Sequence, residues 1–551
     1  MDAAILHTMN KLSLPRELDL SIYNNLLEVF QAAVDKYGDA PAFSSLGHTL
    51  SFRQFHRRAM IFASYLQNHT NLQPGDKVAI QLPNILQYPV LLYGVMLADM
   101  VVVNINPLYT PPELRHQLKD SGAKLLVVFA KVAKTAESIL ADTAVEQVLI
   151  TEIADFHPPV KGFVINRFAR WCKGAGNLAK LPNSLALREA MKLGATSKYK
   201  PVMVSQHHLL ALQYTGGTTG VSKGAMLTHG NLIANILQCG SLFNSYGLQQ
   251  GAETVLLPLP LYHIYSFTVA MVMMEEGNHC VLVHDPRDLS SVVRLIKRYG
   301  MSVCCGINTL FVALCHHSGF KKLDFSRLKL TLSGGMALTV DTATQWQQMT
   351  GCEIYQGYGL TETSPVITGN PGHGNRIETI GLPLPNTEVM LCDESNIPNP
   401  ELKHGELCMR GPQLMQGYWQ NPEETAKVID QLGWFHTGDI AEIDEQGYLR
   451  IVDRKKDMIL VSGFNVYPNE IEDVLTEHPG VKECAAIGVP DENTGEAVKV
   501  FLVLKDTSLR REQLIGFCKT RLAAYKVPRQ FEFRDDLPKS TVGKILRREL
   551  R

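Results

Sequence analysis

The sequence predicts an α/β and α+β protein whose sheets are largely parallel. Short apolar runs at 78–82 and 125–129 alternate with segments of helical spacing, such as 24–36. Apolar strands separated by helices are typical of parallel sheets that helices cover on both faces. We therefore expect a large N-terminal domain of several subdomains, built from mixed or parallel sheets and helices.

A polar run at 451–457 separates this part of the chain from a shorter α+β pattern. Beyond it, a segment of helical spacing at 470–477 precedes two apolar strands. Polar segments between apolar ones are typical of linkers between domains. The sequence therefore predicts a large domain at 1–453 and a small, mobile C-terminal domain at 454–551, joined by a hinge near 454–457.

Composition and charge exclude several classes of protein. Hydrophobic residues make up 45% of the 551 residues and charged residues 19%, so the chain can bury enough apolar surface to fold. The formal net charge is −1, whereas a dedicated nucleic-acid-binding protein usually carries a basic excess. The longest apolar run, 88–98, is shorter than the ~20 residues that a membrane-spanning helix needs. We expect neither a nucleic-acid partner nor a membrane span.

The cysteines predict a reducing compartment. The chain has 11 cysteines, an odd number, and no Cys-x-x-Cys pair. Scattered cysteines suit neither a disulfide framework nor a zinc site. We expect reduced, mostly buried thiols and a cytoplasmic location.

The segment 161–200 is strongly basic, and Glu189 is its only acidic residue. Val164, Phe168 and Trp171 fall on one face at helical spacing. A basic amphipathic helix with a tryptophan is typical of helices that lie in a membrane interface. We therefore expect peripheral contact with an anionic membrane, at the inner face of the cytoplasmic membrane. The alternative is a solvated surface helix whose apolar face packs on the protein.

The glycine-rich loop at 214–224 indicates a binding site for a polyphosphate. Glycines let backbone N–H groups approach a ligand closely, while threonine hydroxyls and a lysine add donors and positive charge. The loop is not a Walker A motif, because Ser222 precedes Lys223. Residues 220–224 also match the Gly-x-Ser-x-Gly pattern of serine hydrolases, a weak match in a stretch so rich in glycine. The expected phosphate-binding residues are Tyr214, Thr215, Gly216, Gly217, Thr218, Thr219, Gly220, Val221, Ser222, Lys223, Gly224 and Ala225.

Four further motifs follow along the chain. They are Tyr-Gly-Leu-Thr-Glu at 358–362, Thr-Gly-Asp at 437–439, Asp-Arg-Lys-Lys-Asp at 453–457, and Pro-Lys-Ser-Thr-Val-Gly-Lys at 538–544. With the glycine-rich loop, their order and separations resemble those of the adenylate-forming superfamily, which includes the acyl-CoA synthetases. The stretch 434–456 resembles the fatty-acyl-CoA synthetase signature. The resemblance is strongest to the bacterial long-chain fatty-acid–CoA ligases and covers essentially the whole chain.

This resemblance implies an ATP-dependent reaction in two steps. A long-chain fatty acid would attack the α-phosphorus of ATP to give acyl-AMP and pyrophosphate, and CoA would then displace AMP to give acyl-CoA. The expected ligands are the fatty acid, ATP, Mg²⁺ and CoA. Two alternatives stay open: a CoA ligase for medium-chain or aromatic acids, and a non-catalytic protein for lipid binding or uptake. A homodimer also stays open.

The resemblance also assigns roles to individual residues of this sequence. Lys544 would bridge the substrate carboxylate and the α-phosphate, and Glu362 with Thr215 would hold Mg²⁺, so these three are the expected catalytic residues. Asp439 would bind the ribose hydroxyls. The other expected ATP- and AMP-binding residues are Gly334, Gly335, Gln356, Gly357, Tyr358, Thr361, Arg454 and Lys456.

The acyl pocket is implied to contain His263, Ile264 and Phe267. Phe267 lies four positions after the histidine, where related enzymes carry a bulky gate, and Tyr214 is a second candidate for the gate. The aromatic and methionine residues of this stretch are equally typical of an ordinary core.

The second step is implied to need another orientation of the C-terminal domain. Lys456 occupies the position of the family's hinge residue. After the domain has turned, the path of CoA would be bordered by Ser462, Gly463 and Phe464.

Overall fold

The computed structural model describes residues 2–172, 181, 183–215, 222–393, 398–399, 401–462, 464–491, 494–506, 508–540 and 543–551. Within these residues the chain forms four β-sheets with helices between them, which confirms the predicted fold class. The strands are β1 (Pro41–Ser45), β2 (His48–Ser51), β3 (Lys77–Gln81), β4 (Val101–Asn104), β5 (Leu125–Phe129), β6 (Gln147–Thr151), β7 (Ser184–Ala186), β8 (Leu209–Thr215), β9 (Lys223–Thr228), β10 (Thr254–Leu257), β11 (His279–Leu282), β12 (Val303–Gly306), β13 (Leu330–Ser333), β14 (Ile354–Gly359), β15 (Val366–Gly369), β16 (Leu382–Pro383), β17 (Glu388–Cys392), β18 (Pro398–Asn399), β19 (His404–Arg410), β20 (Phe435–Ile443), β21 (Leu449–Arg454), β22 (Ile459–Val461), β23 (Phe464–Val466), β24 (Val481–Asp491), β25 (Gly495–Leu504) and β26 (Gln530–Phe533). The helices are α1 (Ala3–Lys11), α2 (Leu26–Tyr37), α3 (Phe52–His69), α4 (Gln87–Leu97), α5 (Pro111–Ser121), α6 (Ala133–Glu137), α7 (Pro159–Cys172), α8 (Leu187–Thr196), α9 (His229–Asn244), α10 (Ile264–Glu275), α11 (Leu289–Tyr299), α12 (Asn308–His316), α13 (Val340–Thr350), α14 (Pro422–Ala426), α15 (Pro468–Thr476) and α16 (Arg511–Lys519).

A seven-stranded sheet carries the predicted phosphate-binding loop at its edge. Its strand order is β7-β6-β5-β3-β4-β8-β9, and its neighbours are parallel except for β8 and β9. Residues 216–221, which lie outside the described part of the chain, join β8 to β9, and Thr215 lies opposite Lys223 in that pair. A serine-hydrolase nucleophile needs a helix directly after its loop. The antiparallel strand β9 there excludes the serine-hydrolase interpretation.

A nine-stranded sheet collects the second group of predicted residues. Its order is β16-β15-β14-β13-β12-β10-β11-β1-β2, with parallel pairing from β14 to β1 and antiparallel strands at both edges. Gly334 and Gly335 follow directly after β13, and Gln356 to Tyr358 lie in the neighbouring β14. Parallel strands end at one edge of their sheet, and ligands bind at such edges. The topology therefore places these residues side by side.

Two further sheets follow in sequence. Strands β17 to β21 form an antiparallel sheet, and β22 to β26 form a separate sheet with its own hydrophobic core under α15 and α16. The predicted boundary at 453/454 falls within β21, the last strand of the first of these sheets. The boundary itself stays a prediction.

The apolar run at 88–98 forms most of α4 and its C-terminal cap, and every residue of this helix is buried. The rings of Phe30 and Phe55 pack against Tyr93 of α4, with centroids 4.6 Å and 5.4 Å away. Packing on all sides explains why this short helix is so apolar. Among the residues that the structure describes, no helix combines the length and apolarity needed to cross a membrane.

The predicted basic amphipathic helix is α7, and its apolar face is exposed. Val164, Phe168 and Trp171 are 58%, 62% and 82% exposed. The alternative, in which this face packs on the protein, is therefore wrong for these side chains. Residues 173–180, which hold part of the basic segment, lie outside the described part of the chain.

Two cysteines contradict the prediction of reduced thiols. Cys392 and Cys408 form a disulfide, with Cα atoms 6.6 Å apart. They lie on the antiparallel neighbours β17 and β19, where Met390 is the residue opposite Cys408, so the two cysteines occupy diagonal positions on one face. Strand pairing, which the spacing of the cysteines does not reveal, brings them together. The other cysteines whose side chains are described are free and buried, as predicted.

Candidate active site

A cleft of about 1280 Å³ is lined by the ends of both large sheets, by the end of β21 and by the C-terminal tail of the chain. Most of the predicted site residues meet in it, although they come from distant parts of the sequence. The predicted residues that line the cleft are Tyr214, Thr215, Ser222, Lys223, His263, Ile264, Gly334, Gly335, Gln356, Gly357, Tyr358, Thr361, Glu362, Arg454, Lys456 and Lys544.

Some of the remaining predicted residues do not line the cleft, and others lie outside the described part of the chain. Gly224 and Ala225 are in β9, where they pair with Trp419 and Tyr418. Asp439 is 3% exposed and is not itself a lining residue, although its partners Tyr358 and Arg454 are. Residues outside the described part of the chain are Gly216, Gly217, Thr218, Thr219, Gly220, Val221 and Gly463.

Lys223 begins β9 and is paired with a carboxylate. Its Nζ donates a hydrogen bond of 2.5 Å to Glu424 of α14 and lies 4.8 Å from the centroid of the Tyr418 ring. The hydrogen bonds from Lys223 and Lys427 lower the pKa of Glu424 to about 2. The charge of Lys223 is therefore compensated within the protein.

Glu362 lies in a single helical turn directly after β14. Its side chain is buried, and the Tyr418 hydroxyl donates a hydrogen bond of 2.7 Å to its Oε1. Burial raises the pKa of Glu362, while the bond from Tyr418 and the nearby charges of Arg454 and Lys223 oppose the rise. Tyr418 thus contacts both Glu362 and the neighbourhood of Lys223.

Asp439 connects two sides of the site. Its carboxylate accepts a hydrogen bond of 2.6 Å from the Tyr358 hydroxyl. It also forms an ion pair with Arg454, whose Nε lies 3.0 Å away. Asp439 and Arg454 are opposite each other on β20 and β21, so strand register places the ion pair. The predicted nucleotide residues Tyr358, Asp439 and Arg454 therefore form one hydrogen-bonded group.

Lys544 reaches the cleft from the C-terminal tail. Burial and the charge of Arg454 lower its pKa to about 8, although Asp439 opposes this effect. The tail is held by ion pairs, since Arg547 contacts Glu472 of α15 at 2.7 Å. Arg551 in addition contacts Asp457, which follows β21, at 2.9 Å. Lys544 thus brings a poorly compensated positive charge to the nucleotide side of the cleft.

An apolar slot extends the cleft between α9 and α10. His263 caps α10, accepting a hydrogen bond from the Tyr265 N–H, and burial lowers its pKa to about 4, so its ring is neutral at neutral pH. The slot is lined on the α10 side by Ile264, Thr268, Val269 and Val272, and on the α9 side by Cys239, Leu242 and Phe243.

Phe267 does not line the cleft. It lies on the opposite face of α10, is 1% exposed, and borders a separate cavity of about 20 Å³ together with Met271 and Met274. Because an α-helix has 3.6 residues per turn, Phe267, Met271 and Met274 project from a different side of α10 than Val269 and Val272. The methionine stripe is therefore core, and of the two gate candidates only Tyr214 borders the cleft.

The residues implied for the CoA path and the hinge lie toward the C-terminal domain. Ser462 is in the turn between β22 and β23, and Phe464 is 56% exposed and stacks on Tyr525, with ring centroids 4.8 Å apart. Neither lines the cleft in this structure. Lys456 does, and its partial burial near Arg454 lowers its pKa to about 8.

Sequence reasoning missed several partners of the predicted residues. Asp120 accepts a hydrogen bond of 2.6 Å from the Tyr214 hydroxyl. Tyr418 donates a hydrogen bond to Glu362, and Glu424 accepts one from Lys223. Glu406 accepts a hydrogen bond from the N–H of Gly438, the residue before Asp439. No local pattern marks these residues, because each partner is distant in sequence and only the fold brings them together.

Comparison with known proteins identifies the family. The model of the AMP-binding enzymes matches residues 30–419, and the model of the AMP-binding enzyme C-terminal domain matches residues 470–544. The chain is 48% identical over 540 residues to a long-chain-fatty-acid–CoA ligase of Escherichia coli, covering 98% of this chain and 96% of that protein. It is 34% identical over 509 residues to a feruloyl-CoA synthase of an Amycolatopsis species, covering 92% and 94%.

A solved structure agrees with this relationship. ATP-bound MatB from Rhodopseudomonas palustris has a TM-score of 0.81 to this chain at 29% sequence identity, over 96% of this chain and 98% of MatB. The fold, the cleft and these matches agree, and the chain belongs to the family of AMP-binding enzymes.

Proposed function

We propose that this enzyme activates a long-chain fatty acid with ATP and transfers the acyl group to CoA, releasing AMP and pyrophosphate. The observation that carries the proposal is one continuous cleft, which joins a cationic region around Lys223 and Lys544 to an apolar slot between α9 and α10. A polyphosphate fits the first part and an alkyl chain the second. The related ligases named for long-chain fatty acids support this choice of substrate.

The first step needs no protein nucleophile. The substrate carboxylate attacks the α-phosphorus of ATP, a P–O bond to the acyl group forms, and pyrophosphate leaves. The protein must hold the reactants in line and stabilise charge that moves between phosphate oxygens. The position of Lys544 supports a contact with the carboxylate and the α-phosphate, while Thr215 and Lys223 would hold the β- and γ-phosphates.

The nucleotide is proposed to bind beside the group of Tyr358, Asp439 and Arg454. A single carboxylate can accept hydrogen bonds from both ribose hydroxyls, and Asp439 is already oriented by Tyr358 and Arg454. The backbone of Gly334 and Gly335, at the end of β13, and the side chain of Gln356 would border the adenine.

The oxygen donors of this site suit Mg²⁺. Such sites hold Mg²⁺ through one or two carboxylates together with substrate phosphates and water. Glu362 supplies a buried carboxylate whose Oε1 is oriented by Tyr418, and the Thr215 hydroxyl borders the same cleft. We propose these two residues as ligands; the bound ion would neutralise phosphate charge.

The acyl chain is proposed to lie along the slot between α9 and α10, rather than against Phe267. Each methylene that leaves water for such a slot contributes up to ~0.8 kcal/mol, which favours long chains. The chain's similarity to a feruloyl-CoA synthase makes aromatic acids the second candidate. A panel of long-chain, medium-chain and aromatic acids distinguishes the two by the ratio of kcat to KM.

The thioester step is proposed to follow a turn of the C-terminal domain about Lys456, which moves Ser462, Gly463 and Phe464 to the path of CoA. This accounts for the position of Ser462 and Phe464 away from the cleft. A Gly463→Leu variant would then lose thioester formation from supplied acyl-AMP and keep pyrophosphate release. Equal loss of both steps would contradict the proposal.

The helix α7 is proposed to bind an anionic membrane peripherally, at the inner face of the cytoplasmic membrane. Its exposed Phe168 and Trp171 offer apolar contact, and the basic residues of the segment offer attraction to anionic lipids. Vesicles with anionic lipid should sediment the protein at low salt, less so at high salt. The double substitution Phe168→Ser and Trp171→Ser should abolish sedimentation, and Leu432→Ser, at an exposed apolar residue elsewhere, should not.

Catalysis itself is tested by pyrophosphate release with ATP, Mg²⁺ and the acid panel, with and without CoA. Turnover that Lys544→Ala loses would establish the ligase and exclude a protein that only binds or takes up lipid. Production of ADP instead of AMP would contradict the mechanism. Sedimentation velocity on the same preparation tests the homodimer.

A further inference from the structure

Glu406 is a buried carboxylate that the proposed chemistry does not use. It lies on β19, and its side chain is 6% exposed. Oε1 accepts a hydrogen bond of 2.9 Å from the N–H of Gly438, and Oε2 accepts one of 2.8 Å from Nζ of Lys455. Nδ1 of His436 lies 3.6 Å from Oε2. Burial by itself would raise the pKa of Glu406, but the bonds from His436 and Lys455 hold it at about 2.

The contacts of Glu406 converge on the residue before Asp439. Gly438 is held on both sides, because its N–H donates to Glu406 and its carbonyl accepts a hydrogen bond of 2.9 Å from the N–H of Lys455. Its φ of +71° is a left-handed conformation that favours glycine. Any shift of Gly438 moves Asp439, whose carboxylate must keep its position between Tyr358 and Arg454.

Lys455 gives Glu406 a second role. It follows β21 directly, borders the cleft, and precedes Lys456 at the entrance to the C-terminal domain. One buried carboxylate thus holds both the part of β20 that carries Asp439 and the segment that leads to the second domain. Lys455 is one of four cations that line this end of the cleft, with Arg454, Lys456 and Lys544.

We infer that Glu406 is a positioning residue of this enzyme: it orients the ribose-binding Asp439 and ties it to the interdomain segment through Lys455. The inference rests on the proposed nucleotide site, and it predicts that loss of the Glu406 charge weakens nucleotide binding although Glu406 itself touches no ligand.

The variant Glu406→Gln tests this with little change of shape, since its amide oxygen can still accept from Gly438. We expect the affinity for AMP, measured by titration calorimetry, to fall about tenfold, the usual size of one strong coupled interaction. AMP contains the ribose but needs no acid substrate and no turnover. A failure of the proposed fatty-acid substrate would therefore leave this measurement intact.

The chain provides a matched control in Glu253. This buried carboxylate also holds a half-exposed lysine, Lys329, at 2.7 Å and accepts a backbone N–H, that of Gln249, but it does not line the cleft. Glu253→Gln should lower the melting temperature as Glu406→Gln does and leave the AMP affinity unchanged. If both variants lose stability and neither loses AMP affinity, Glu406 is merely structural and the inference fails.

Lys455→Met supplies the second measurement and covers the case in which Glu406→Gln does not fold. Its side chain is 41% exposed, so the change disturbs little packing. We expect Lys455→Met to weaken AMP binding also. The AMP affinity of the double variant Glu406→Gln with Lys455→Met should lie within about twofold of the affinity of the single variant that binds AMP more weakly. Fully additive losses would mean that the two residues act separately, which overturns the proposed link.

Discussion

Two of the lysines that line the cleft, Lys223 and Lys544, are held in different ways. Lys223, from the large domain, is neutralised by Glu424 and packed beside the Tyr418 ring. Lys544, from the C-terminal tail, forms no ion pair with any of the described residues, and its pKa of about 8 reflects burial next to Arg454. The protein itself compensates the first charge, whereas the second is left for an anionic substrate. We therefore propose that Lys544 serves the chemistry and Lys223 the binding of ATP.

The largest expected effect is that of Lys544→Ala on pyrophosphate release. Loss of one preorganised donor at a developing charge lowers the rate about 10²–10³-fold. Lys223→Ala should lower the rate of pyrophosphate release less and should act mainly on the KM for ATP, because other groups of the phosphate-binding loop remain. Both rates are measured with saturating fatty acid and without CoA. Equal losses of kcat in the two variants would remove the distinction between the lysines.

The pH dependence sharpens the same comparison. Lys544 carries its charge below a pKa of about 8 and loses it above, so pyrophosphate release should fall about tenfold per pH unit in the alkaline range. Lys544→Arg should move this alkaline fall in pyrophosphate release to higher pH, because a guanidinium stays charged. The pKa of Lys456 is also about 8, and Lys456→Met is the control that should retain the alkaline fall.

The two faces of α10 form a second comparison. Val272→Phe narrows the slot, and we expect kcat/KM for the longest acids to fall, relative to medium-chain acids, by about fourfold for each displaced methylene. Phe267→Leu alters the other face and should leave the chain-length profile unchanged while lowering stability by about 1 kcal/mol. A changed profile in Phe267→Leu would restore this residue as the gate.

The smallest expected effect belongs to Glu424→Gln. It removes the carboxylate that Lys223 must leave when it binds phosphate, so the KM for ATP should fall, by at most about fivefold for a partly exposed ion pair. Glu423→Gln, a change at an exposed neighbour, should leave the KM unchanged. A rise in the KM would show instead that Glu424 orients Lys223 for ATP.

Local patterns were sufficient for many elements of this protein, and the resemblance of its motifs to a known family indicated its chemistry. The apolar run at 125–129 is strand β5, and the segment 24–36 corresponds to α2, because hydrophobic periodicity reports directly on local structure. The glycine-rich loop was likewise recognisable from its residue types, whereas the roles of Glu362 and Lys544 were implied by the resemblance to a family and stay predictions. The structure brings Thr215, Lys223, Glu362 and Lys544 to one cleft.

Packing between distant segments decided which way each side chain faces and which partner it contacts. Phe267 follows His263 at the spacing of a gate, yet the rotation of α10 in the core turns it away from the cleft. The pairs Lys223 with Glu424, Glu406 with Lys455, and Cys392 with Cys408 arise from contacts between elements that are separate in the chain. Residue types and their spacing encode which reaction is feasible. The burial, charge compensation and orientation that control it emerge when the sheets and the C-terminal tail pack together, because electrostatic and packing energies depend on neighbours in space.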